Sequence, residues 1–238
     1  DEEGYLAVMI HSGSRHFGKS VCDYFHQKAR ALNQKWYSQV PDSFRLAFLP
    51  ADSPEGRQYQ NWMQLSMDFA AENREKMMLT VKAILEKWIG KYTDLTLNFS
   101  GEINCHHNYA ALENHRGKEV WVHRKGAVEA KNGQRAVIPG AMGSYSYVVM
   151  GLGNEESFCS SSHGAGRRYS RKGAMEAFRC EEVILDLERQ GVVLGKKGKA
   201  DVAEESRFAY KDIEEVMENQ KDLVIPLKRL KTIGVVKG

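Results

Sequence analysis

Residues 139–150 read PGAMGSYSYVVM, in which a glycine-rich turn leads into alternating Ser and Tyr and then an apolar run. Glycine in the turn permits a tight reversal of the chain, and the run at 145–150 is typical of a buried strand. Further strand-like pieces stand in the same part of the chain at 119–122 (EVWV), 135–138 (RAVI), 192–194 (VVL) and 233–236 (IGVV). The chain beyond residue 90 is therefore predicted to be rich in strands separated by turns.

The N-terminal part of the chain has helical periodicity instead. Residues 16–37 place apolar side chains on one side of a helix, and residues 57–89 contain no glycine or proline. The second of these helices is predicted to be broken or bent along its length. Residues 38–56 are predicted to be a loop, and YLAVMI at 5–10 a buried strand that ends at HSGSR, residues 11–15. Short helical patterns follow at 180–190 and 210–220.

Together these patterns predict an α+β fold, with one mixed-sheet domain over residues 1–238 and flanking helices that include a helical segment at about 16–90. The 238 residues, 42% of them hydrophobic, suffice for a sizeable core. No apolar run reaches the roughly 20 residues that a membrane-spanning helix needs. The 34 Lys and Arg against 31 Asp and Glu permit a nucleic-acid partner without requiring one. Four cysteines without a CxxC pair favour a reducing cytoplasm over a disulfide framework.

Histidine is the first candidate for chemistry. His11, His107 and His163 each lie in a polar or glycine-rich segment, and imidazole is the commonest neutral nitrogen ligand of Zn, Mn or Fe. His106 and His107 are adjacent, so in an extended segment only one of them is expected to reach a given site. A structural, hydrogen-bonded role is the alternative for each histidine, because the sequence has no HExxH or CxxC spacing.

The segment SHGAGRRYSR, residues 162–171, combines a histidine, two glycines and a cluster of cations. If the segment opens a helix, its backbone N–H groups can bind phosphate. Arg167 and Arg171 would then share a helix face on which two guanidinium groups grip phosphate oxygens. His163 would be placed to act as a nucleophile on phosphorus. A solvated basic helix start is the alternative.

A second basic stretch lies at residues 116–135, with six Lys or Arg against two acids. Cations close to Trp121 and His123 suit nucleic acid, although an exposed charged hairpin explains the composition equally well. Residues 139–147 would form either a nucleobase or ribose pocket or only a turn into a strand. Lys237 would either contact a ligand or mark a solvated chain end.

Seven strings in order along the chain resemble the motifs of the RtcB family of RNA ligases: HSGSR, CHHNY…E, HRKGA, PG-x-MG, HGAGRR-x-SR, AYKD and the closing VKG. The resemblance spans essentially the whole chain. It implies a manganese- and GTP-dependent ligase that joins RNA 3′-phosphate or 2′,3′-cyclic phosphate ends to 5′-hydroxyl ends, in tRNA splicing or RNA repair. The partners that it implies are broken RNA, GTP and an activating protein.

The resemblance also implies roles for individual residues. His163 would attack the α-phosphate of GTP and carry guanylate as a phosphoramidate, while His11 and His107 would be manganese ligands in a two-metal site. Tyr210 would lie near the guanine, and Lys237 would read the guanine edge. The guanylate-binding positions would be Asn108, Pro139, Gly140, Ala141, Met142, Ser146, His163, Gly164, Ala165, Gly166, Tyr210 and Lys237, and the RNA phosphate contacts Arg15, Lys125, Arg167 and Arg171.

Two departures from the family pattern shape the expectation. The family's N-terminal DxGCG-like and GNHF segments, which supply further metal ligands and guanylate contacts, do not occur in this sequence. We therefore expect an N-terminally truncated domain with weak metal binding and little or no ligation by this chain alone. Ala141 stands where many relatives carry Ser or Thr, so one hydroxyl contact to the nucleotide would be lost.

Two other functions are compatible with the same residues. A non-catalytic module that binds RNA or a nucleotide would keep the shape of the site and show phosphate-dependent affinity without a covalent adduct. A metallohydrolase would use the histidines to activate water and would release phosphate without needing GTP.

Overall fold

The computed structural model describes residues 1–195 and 202–237. It confirms the predicted mixture of helices and strands. The chain divides into two compact units, a helical unit at Met9–Asn104 and a second unit formed by Asp1–Val8 and Cys105–Gly238. The extent of a single domain over residues 1–238 stays a prediction. Within the described residues, no helix combines the length and apolar character needed to cross a membrane.

The helical unit is built on two helices, α1 at Arg15–Lys35 and α2 at Pro54–Tyr92. They pack through aromatic side chains, since the ring of Phe17 lies 6.1 Å from that of Trp62 and 5.9 Å from that of Phe69. α2 runs for 39 residues without a break, so of the two predicted irregularities the break is wrong, and a bend stays a prediction. It begins within the predicted loop because Ser53 caps its first turn and a proline fits the first helical position.

The predicted buried strand at 5–10 is wrong. These residues form no strand, and the side chains of Tyr5 and Leu6 are 70% and 56% exposed. The N–H of Tyr5 donates to a side chain, Asp1 Oδ1, and not to a neighbouring strand. An apolar run records hydrophobicity, but it does not show whether a partner strand is available.

In its described residues, the second unit contains several small sheets and three short α-helices. The bounds are β1 Asn108–His115, β2 Lys118–Lys125, β3 Ala127–Glu129, β4 Arg135–Ile138, β5 Ser146–Gly151, β6 Ser160–Ser162, α3 Arg171–Ala177, α4 Cys180–Arg189, β7 Val193–Gly195, α5 Ile213–Glu218, β8 Val224–Leu230 and β9 Gly234–Val236. β1 and β2 form an antiparallel hairpin, β3 pairs with β6, β5 lies between β4 and β8, and β7 pairs in parallel with β9.

Every strand-like piece predicted beyond residue 90 overlaps a strand, and the pieces at 145–150, 192–194 and 233–236 each begin one residue before it. The helical patterns at 180–190 and 210–220 overlap α4 and α5. The strands β1, β3, β6 and β8 were not predicted. The turn of the β1–β2 hairpin is made by Arg116 and Gly117, both with positive φ, as the two-residue turns that join twisted strands require. The charged hairpin considered as an alternative for part of this region is therefore present.

Two apolar cores hold the second unit together. One gathers buried side chains of β3, β4, β5 and α5, including Val128, Ile138 and Val149. The other surrounds α4 and includes Met142 and Leu187. The PGAMG turn leads from β4 of the first core through Met142 of the second core, and back to β5 of the first.

Candidate functional site

Two histidines from distant parts of the sequence stack on each other in the second unit. The imidazole rings of His107 and His163 have centroids 4.7 Å apart and planes inclined by 18°. His107 immediately precedes β1, and His163 immediately follows β6. Because the hairpin leads directly into β3 and β3 pairs with β6, the strand pairings bring the two rings side by side.

Gly126, the single residue between β2 and β3, joins the two histidine segments. Its N–H donates to the carbonyl of His107 at 3.2 Å, and its carbonyl accepts from the N–H of His163 at 3.3 Å. Its φ is +71°, and an added Cβ would lie 3.5 Å from the His163 ring. A side chain at this position would strain the backbone, so the glycine of HRKGA has a conformational function here.

The neighbouring histidine has a different environment. The ring of His106 contacts that of Tyr109, with centroids 6.1 Å apart. Of the adjacent pair, His107 is thus the one whose ring stacks on His163. This agrees with the expectation that two consecutive side chains of an extended segment face different neighbours.

The described residues do not complete a metal site. Among residues 1–195 and 202–237, no three His, Cys, Asp or Glu are grouped so that they could hold a metal ion. Manganese prefers about six ligands, many of them oxygens, which one imidazole of the second unit cannot supply. His11, the other predicted ligand, belongs to the helical unit. The metal roles of His11 and His107 therefore stay predictions.

Two glycine-rich turns meet beside His163. The carbonyl of Pro139 accepts from the N–H of Ala165, which links PGAMG to HGAG. Within the first turn, the N–H of Gly140 donates to Ser146 Oγ at 3.0 Å. A Cβ on Gly140 would lie 2.0 Å from the carbonyl oxygen of Tyr145, so only glycine fits this turn.

The turn continues with two buried side chains. Ala141 and Met142 are each 8% exposed, and Met142 packs in the core around α4. The N–H of Met142 donates to the carbonyl of Glu205. Because these two side chains are buried, a ligand would contact the PGAMG turn through backbone atoms or through atoms at its exposed edge.

A pair of adjacent carboxylates, Glu204 and Glu205, gathers three of the predicted ligand residues. Lys237 Nζ donates to Glu204 Oε1 at 2.9 Å. Arg167 donates to the carbonyl of Glu204 at 2.6 Å and to Glu205 Oε1 at 2.8 Å. The hydroxyl of Tyr210 donates to Glu205 Oε2, and the Arg167 guanidinium lies 4.7 Å from the centre of the Tyr210 ring. We call these five residues the acidic-pair cluster.

Sequence reasoning missed both carboxylates. It selected cations and a tyrosine from three separate motifs and gave no counter-ions to them. The signal available was the string AEESRFAYKD at 203–212, where two acids precede the AYKD motif. Gly238 of the closing VKG lies outside the described residues.

The charges of the acidic-pair cluster shift the titration of its members. The hydrogen bond from Lys237, reinforced by the charges of Arg171 and Arg167, holds the pKa of Glu204 below its usual value against the effect of burial. Burial and the hydrogen bond to Glu205 raise the pKa of Tyr210. At neutral pH the Glu204 carboxylate is therefore ionised and the Tyr210 hydroxyl is protonated.

The predicted helix at HGAGRR is displaced towards the C-terminus. α3 begins only at Arg171, and its N-cap Ser170 accepts from the N–H of Gly173. Arg167 lies instead in a short bridge with Tyr210. The prediction that Arg167 and Arg171 share one helix face is wrong, because positive φ at Gly166 and this bridge keep the chain non-helical there.

The remaining predicted RNA contacts are exposed. Lys125 Nζ donates to Asn108 Oδ1 at 3.1 Å across the β1–β2 pair. Arg171 is the first residue of α3, close enough to Glu204 to influence its pKa. Arg15, the first residue of α1, belongs to the helical unit and has a positive φ of 56°.

A buried ionic cluster supports the hairpin behind the histidines. Arg124 makes a two-pronged salt bridge to Glu113, and their side chains are 1% and 8% exposed. Arg124 Nε also donates to Ser160 Oγ, and Arg124 Nη2 to the carbonyl of Phe158, each at 3.0 Å. Glu113 accepts in addition from His115 Nε2. These bonds fasten β1 and β2 to the segment that leads into His163.

The fold and these contacts define an α+β protein with a paired-histidine centre flanked by glycine-rich turns and cations. The chain belongs to the family described as tRNA-splicing ligase RtcB, whose family model matches residues 2–238. This confirms the resemblance seen in the sequence motifs.

Named relatives match the chain along its whole length. The RNA-splicing ligase RtcB of Escherichia coli (strain K12) is 40% identical over 249 residues, which is 100% of this chain and 57% of that protein. The tRNA-splicing ligase RtcB of Methanopyrus kandleri is 35% identical over 267 residues, covering 100% of this chain and 27% of that protein. The RNA-splicing ligase RtcB of Mycobacterium tuberculosis is 34% identical over 256 residues, covering 99% and 57%. The chain thus spans 57% of the length of the Escherichia coli and Mycobacterium tuberculosis relatives and 27% of the length of the Methanopyrus kandleri relative.

Proposed function

We propose that this chain carries the nucleotidyl-transfer part of an RNA ligase that joins a 3′-phosphate or 2′,3′-cyclic phosphate end to a 5′-hydroxyl end with GTP, in tRNA splicing or RNA repair. The observation that carries the proposal is the stack of His163 on His107 beside two glycine-rich turns. Membership of a family whose relatives are named RNA- or tRNA-splicing ligases supports the same substrate class.

His163 is the proposed nucleophile. A ring nitrogen forms a bond to the α-phosphorus of GTP, the bond to the β-phosphate oxygen breaks, and pyrophosphate leaves. At a 2′,3′-cyclic phosphate end, water first attacks the phosphorus and breaks the bond to the 2′ oxygen, which leaves a 3′-phosphate and a 2′-hydroxyl. The guanylate then moves from the ring nitrogen to an oxygen of the RNA 3′-phosphate. The RNA 5′-hydroxyl attacks that phosphorus, loses its proton and displaces GMP, which seals the strand.

The glycine-rich turns are the proposed phosphate and sugar cradle. Backbone N–H groups of Gly164 and Gly166 lie next in sequence to the proposed nucleophile, where an anion needs donors. The N–H of Ala165 donates to the Pro139 carbonyl, so Ala165 contributes by holding the two turns together. On the other side of the Pro139–Ala165 bond, the turn held by Gly140 and Ser146 offers close backbone approach. Asn108, held by Lys125, completes the set of guanylate contacts implied by the family motifs.

The acidic-pair cluster is the proposed base-binding end. Tyr210 supplies an aromatic face, and Lys237 supplies a hydrogen-bond donor for the guanine oxygen. Arg15, Lys125, Arg167 and Arg171 are proposed RNA phosphate contacts. Arg167 is bonded to Glu204 and Glu205 in this structure, so a phosphate contact would require it to exchange partners.

Manganese is proposed as the metal, with His11 and His107 contributing to a ligand set that the described residues do not complete. A divalent ion at this set would neutralise phosphate charge during attack by an imidazole. Because the described residues leave the set incomplete, we expect weak metal binding and little ligation by the 238-residue chain alone. An activating protein partner and a cytoplasmic location also remain predictions.

The test is a covalent adduct on His163. Intact mass would be measured after incubation with GTP and Mn²⁺, for this chain and for the protein purified from its complete reading frame. We expect the latter to gain one guanylate and the His163→Ala variant to gain none while melting at the same temperature. His123→Ala, a change at an exposed histidine of β2, serves as the matched control and should keep the adduct.

Two results would contradict the proposal. Retention of the adduct in His163→Ala would remove the nucleophile assignment. A folded, metal-loaded protein that binds GTP but never forms an adduct would be a non-catalytic nucleotide- or RNA-binding module instead. Release of phosphate from RNA ends without GTP would point to a metallohydrolase.

A further inference from the structure

We infer that Glu204 and Glu205 are positioning residues of the proposed nucleotide site: Glu204 determines which nucleobase the site accepts, and Glu205 holds the aromatic ring on which the base stacks. The inference rests on the proposed function, and it names a specificity role for side chains that no motif singled out. Its basis is that two adjacent carboxylates hold Lys237, Arg167 and Tyr210, which come from three different segments of the chain.

Glu204 fixes the position of the lysine ammonium. Lysine carries a charge on a flexible four-carbon stem, so without a partner its ammonium samples many positions. The 2.9 Å bond to Glu204 Oε1 restrains Lys237 Nζ while both side chains stay partly accessible, at 23% and 13% exposure. Guanine presents an oxygen acceptor at its sixth position, whereas adenine presents an amine donor there. A restrained ammonium therefore favours guanine over adenine.

Glu205 fixes the aromatic part of the cluster. It accepts from the Tyr210 hydroxyl and from Arg167, whose guanidinium in turn lies 4.7 Å from the centre of the Tyr210 ring. The hydroxyl bond and the cation–π contact restrain the ring from two directions. Stacking on such a ring is tolerant of base identity, so Glu205 should control affinity for both nucleotides more than the choice between them.

The backbone ties the carboxylates to the rest of the proposed site. The carbonyl of Glu205 accepts from the N–H of Met142 in the PGAMG turn. The carbonyl of Glu204 accepts from Arg167, which lies four residues beyond His163. The carboxylates thus stand on a segment that contacts both glycine-rich turns, and their positions are set relative to the nucleophile.

The experiment measures nucleotide preference without covalent chemistry. Dissociation constants for GTP and ATP would be measured by calorimetry in the complete protein carrying His163→Ala, with and without Glu204→Gln. We expect Glu204→Gln to reduce the preference for GTP by about tenfold or more, which is the discrimination that one good base contact provides. Glu205→Gln should weaken both nucleotides by similar factors. Glu215→Gln, an exposed carboxylate 3.8 Å from Arg168, is the matched control and should change neither constant.

The outcomes separate this inference from the proposed function. An unchanged GTP-to-ATP ratio in Glu204→Gln, at an unchanged melting temperature, would overturn it even if His163 forms the guanylate adduct. Equal affinity for GTP and ATP in the protein with intact carboxylates would also overturn it. A protein that prefers GTP through Glu204 yet never becomes guanylylated would leave the specificity role intact and refute the ligase chemistry.

Discussion

The second unit contains two ionic clusters that differ in burial, the buried cluster of Arg124 and Glu113 and the partly exposed acidic-pair cluster. In the buried cluster, Arg124 donates to Glu113, Ser160 and the Phe158 carbonyl, and almost none of its surface meets solvent. In the acidic-pair cluster, the four charged side chains remain partly exposed, at 13–25%. A buried guanidinium whose donors are all used inside the protein can only stabilise the fold, whereas partly exposed pairs can exchange protein partners for a ligand. Burial, rather than the presence of a salt bridge, distinguishes support from recognition.

Arg124→Met should have the largest effect on stability. Removing the guanidinium leaves the Glu113 carboxylate buried with a reduced set of partners, and breaking a buried pair in this way costs about 3–5 kcal/mol. The free energy of unfolding, measured with urea at pH 7, would check this value.

The double variant Arg124→Met/Glu113→Leu is its control. Replacing both charges with apolar side chains removes the unpaired carboxylate, so much of the lost stability should return. A double variant as unstable as Arg124→Met would show that hydrogen bonds to Ser160 and Phe158, rather than the ion pair, carry the stabilisation.

An effect of intermediate size on the free energy of unfolding is expected when the pH is varied, and it tests the buried cluster through Glu113. Burial alone would raise the pKa of Glu113, but the bonds from Arg124 and His115 outweigh it and hold that pKa below its usual value. Its contribution is therefore complete above the unfolded-state pKa of about 4.3 and is lost as pH falls through the lower folded-state pKa. The difference in unfolding free energy between the unaltered chain and Glu113→Gln should be largest near pH 7 and shrink below about pH 4. A difference that is constant between pH 3 and 7 would contradict this.

Glu204→Gln should have the smallest effect on stability. Its ion pair with Lys237 is partly exposed, and pairs of this kind contribute about 1 kcal/mol or less. We expect thermal unfolding to change by at most a few degrees, and the small difference to fade in high salt. A loss comparable with that of Arg124→Met would place the acidic-pair cluster among the supports of the fold and erase the distinction between the two clusters.

The parts of the fold that the sequence predicts are those with strong local signals. The long helix at 54–92 has uninterrupted periodicity, and the strands at 135–138 and 146–151 have apolar runs bounded by turns. The strand β8 was missed because VIPLKRL contains a proline and two cations, which local rules read as a break. The apolar run at 5–10 was misread because hydrophobicity alone does not show whether a partner strand is available.

The site shows the same difference between local signals and long-range contacts. Single residues in recognisable motifs could be selected one by one, namely His107, His163, Arg167, Tyr210 and Lys237. Their grouping could not be derived, because it depends on the β3–β6 pairing and on a turn at 202–205 far from His163. Glu204 and Glu205 were not selected for this reason. The role of a carboxylate depends on the cations around it, and here those cations come from other segments of the chain.

The position of Gly126 between the two histidines also bears on how the protein folds. Its bond to His107 closes within the β1–β2 hairpin region, a local event that costs little chain entropy. Its bond to His163 needs β6 to find β3 across a much longer loop, which is slower and more costly. His163, the proposed nucleophile, is therefore expected to reach its position late in folding and to be among the first groups released when the sheet frays. In a newly made chain, the strands around the site would then form before His163 takes its position. Under the proposed chemistry, a partly folded chain would therefore rarely be guanylylated.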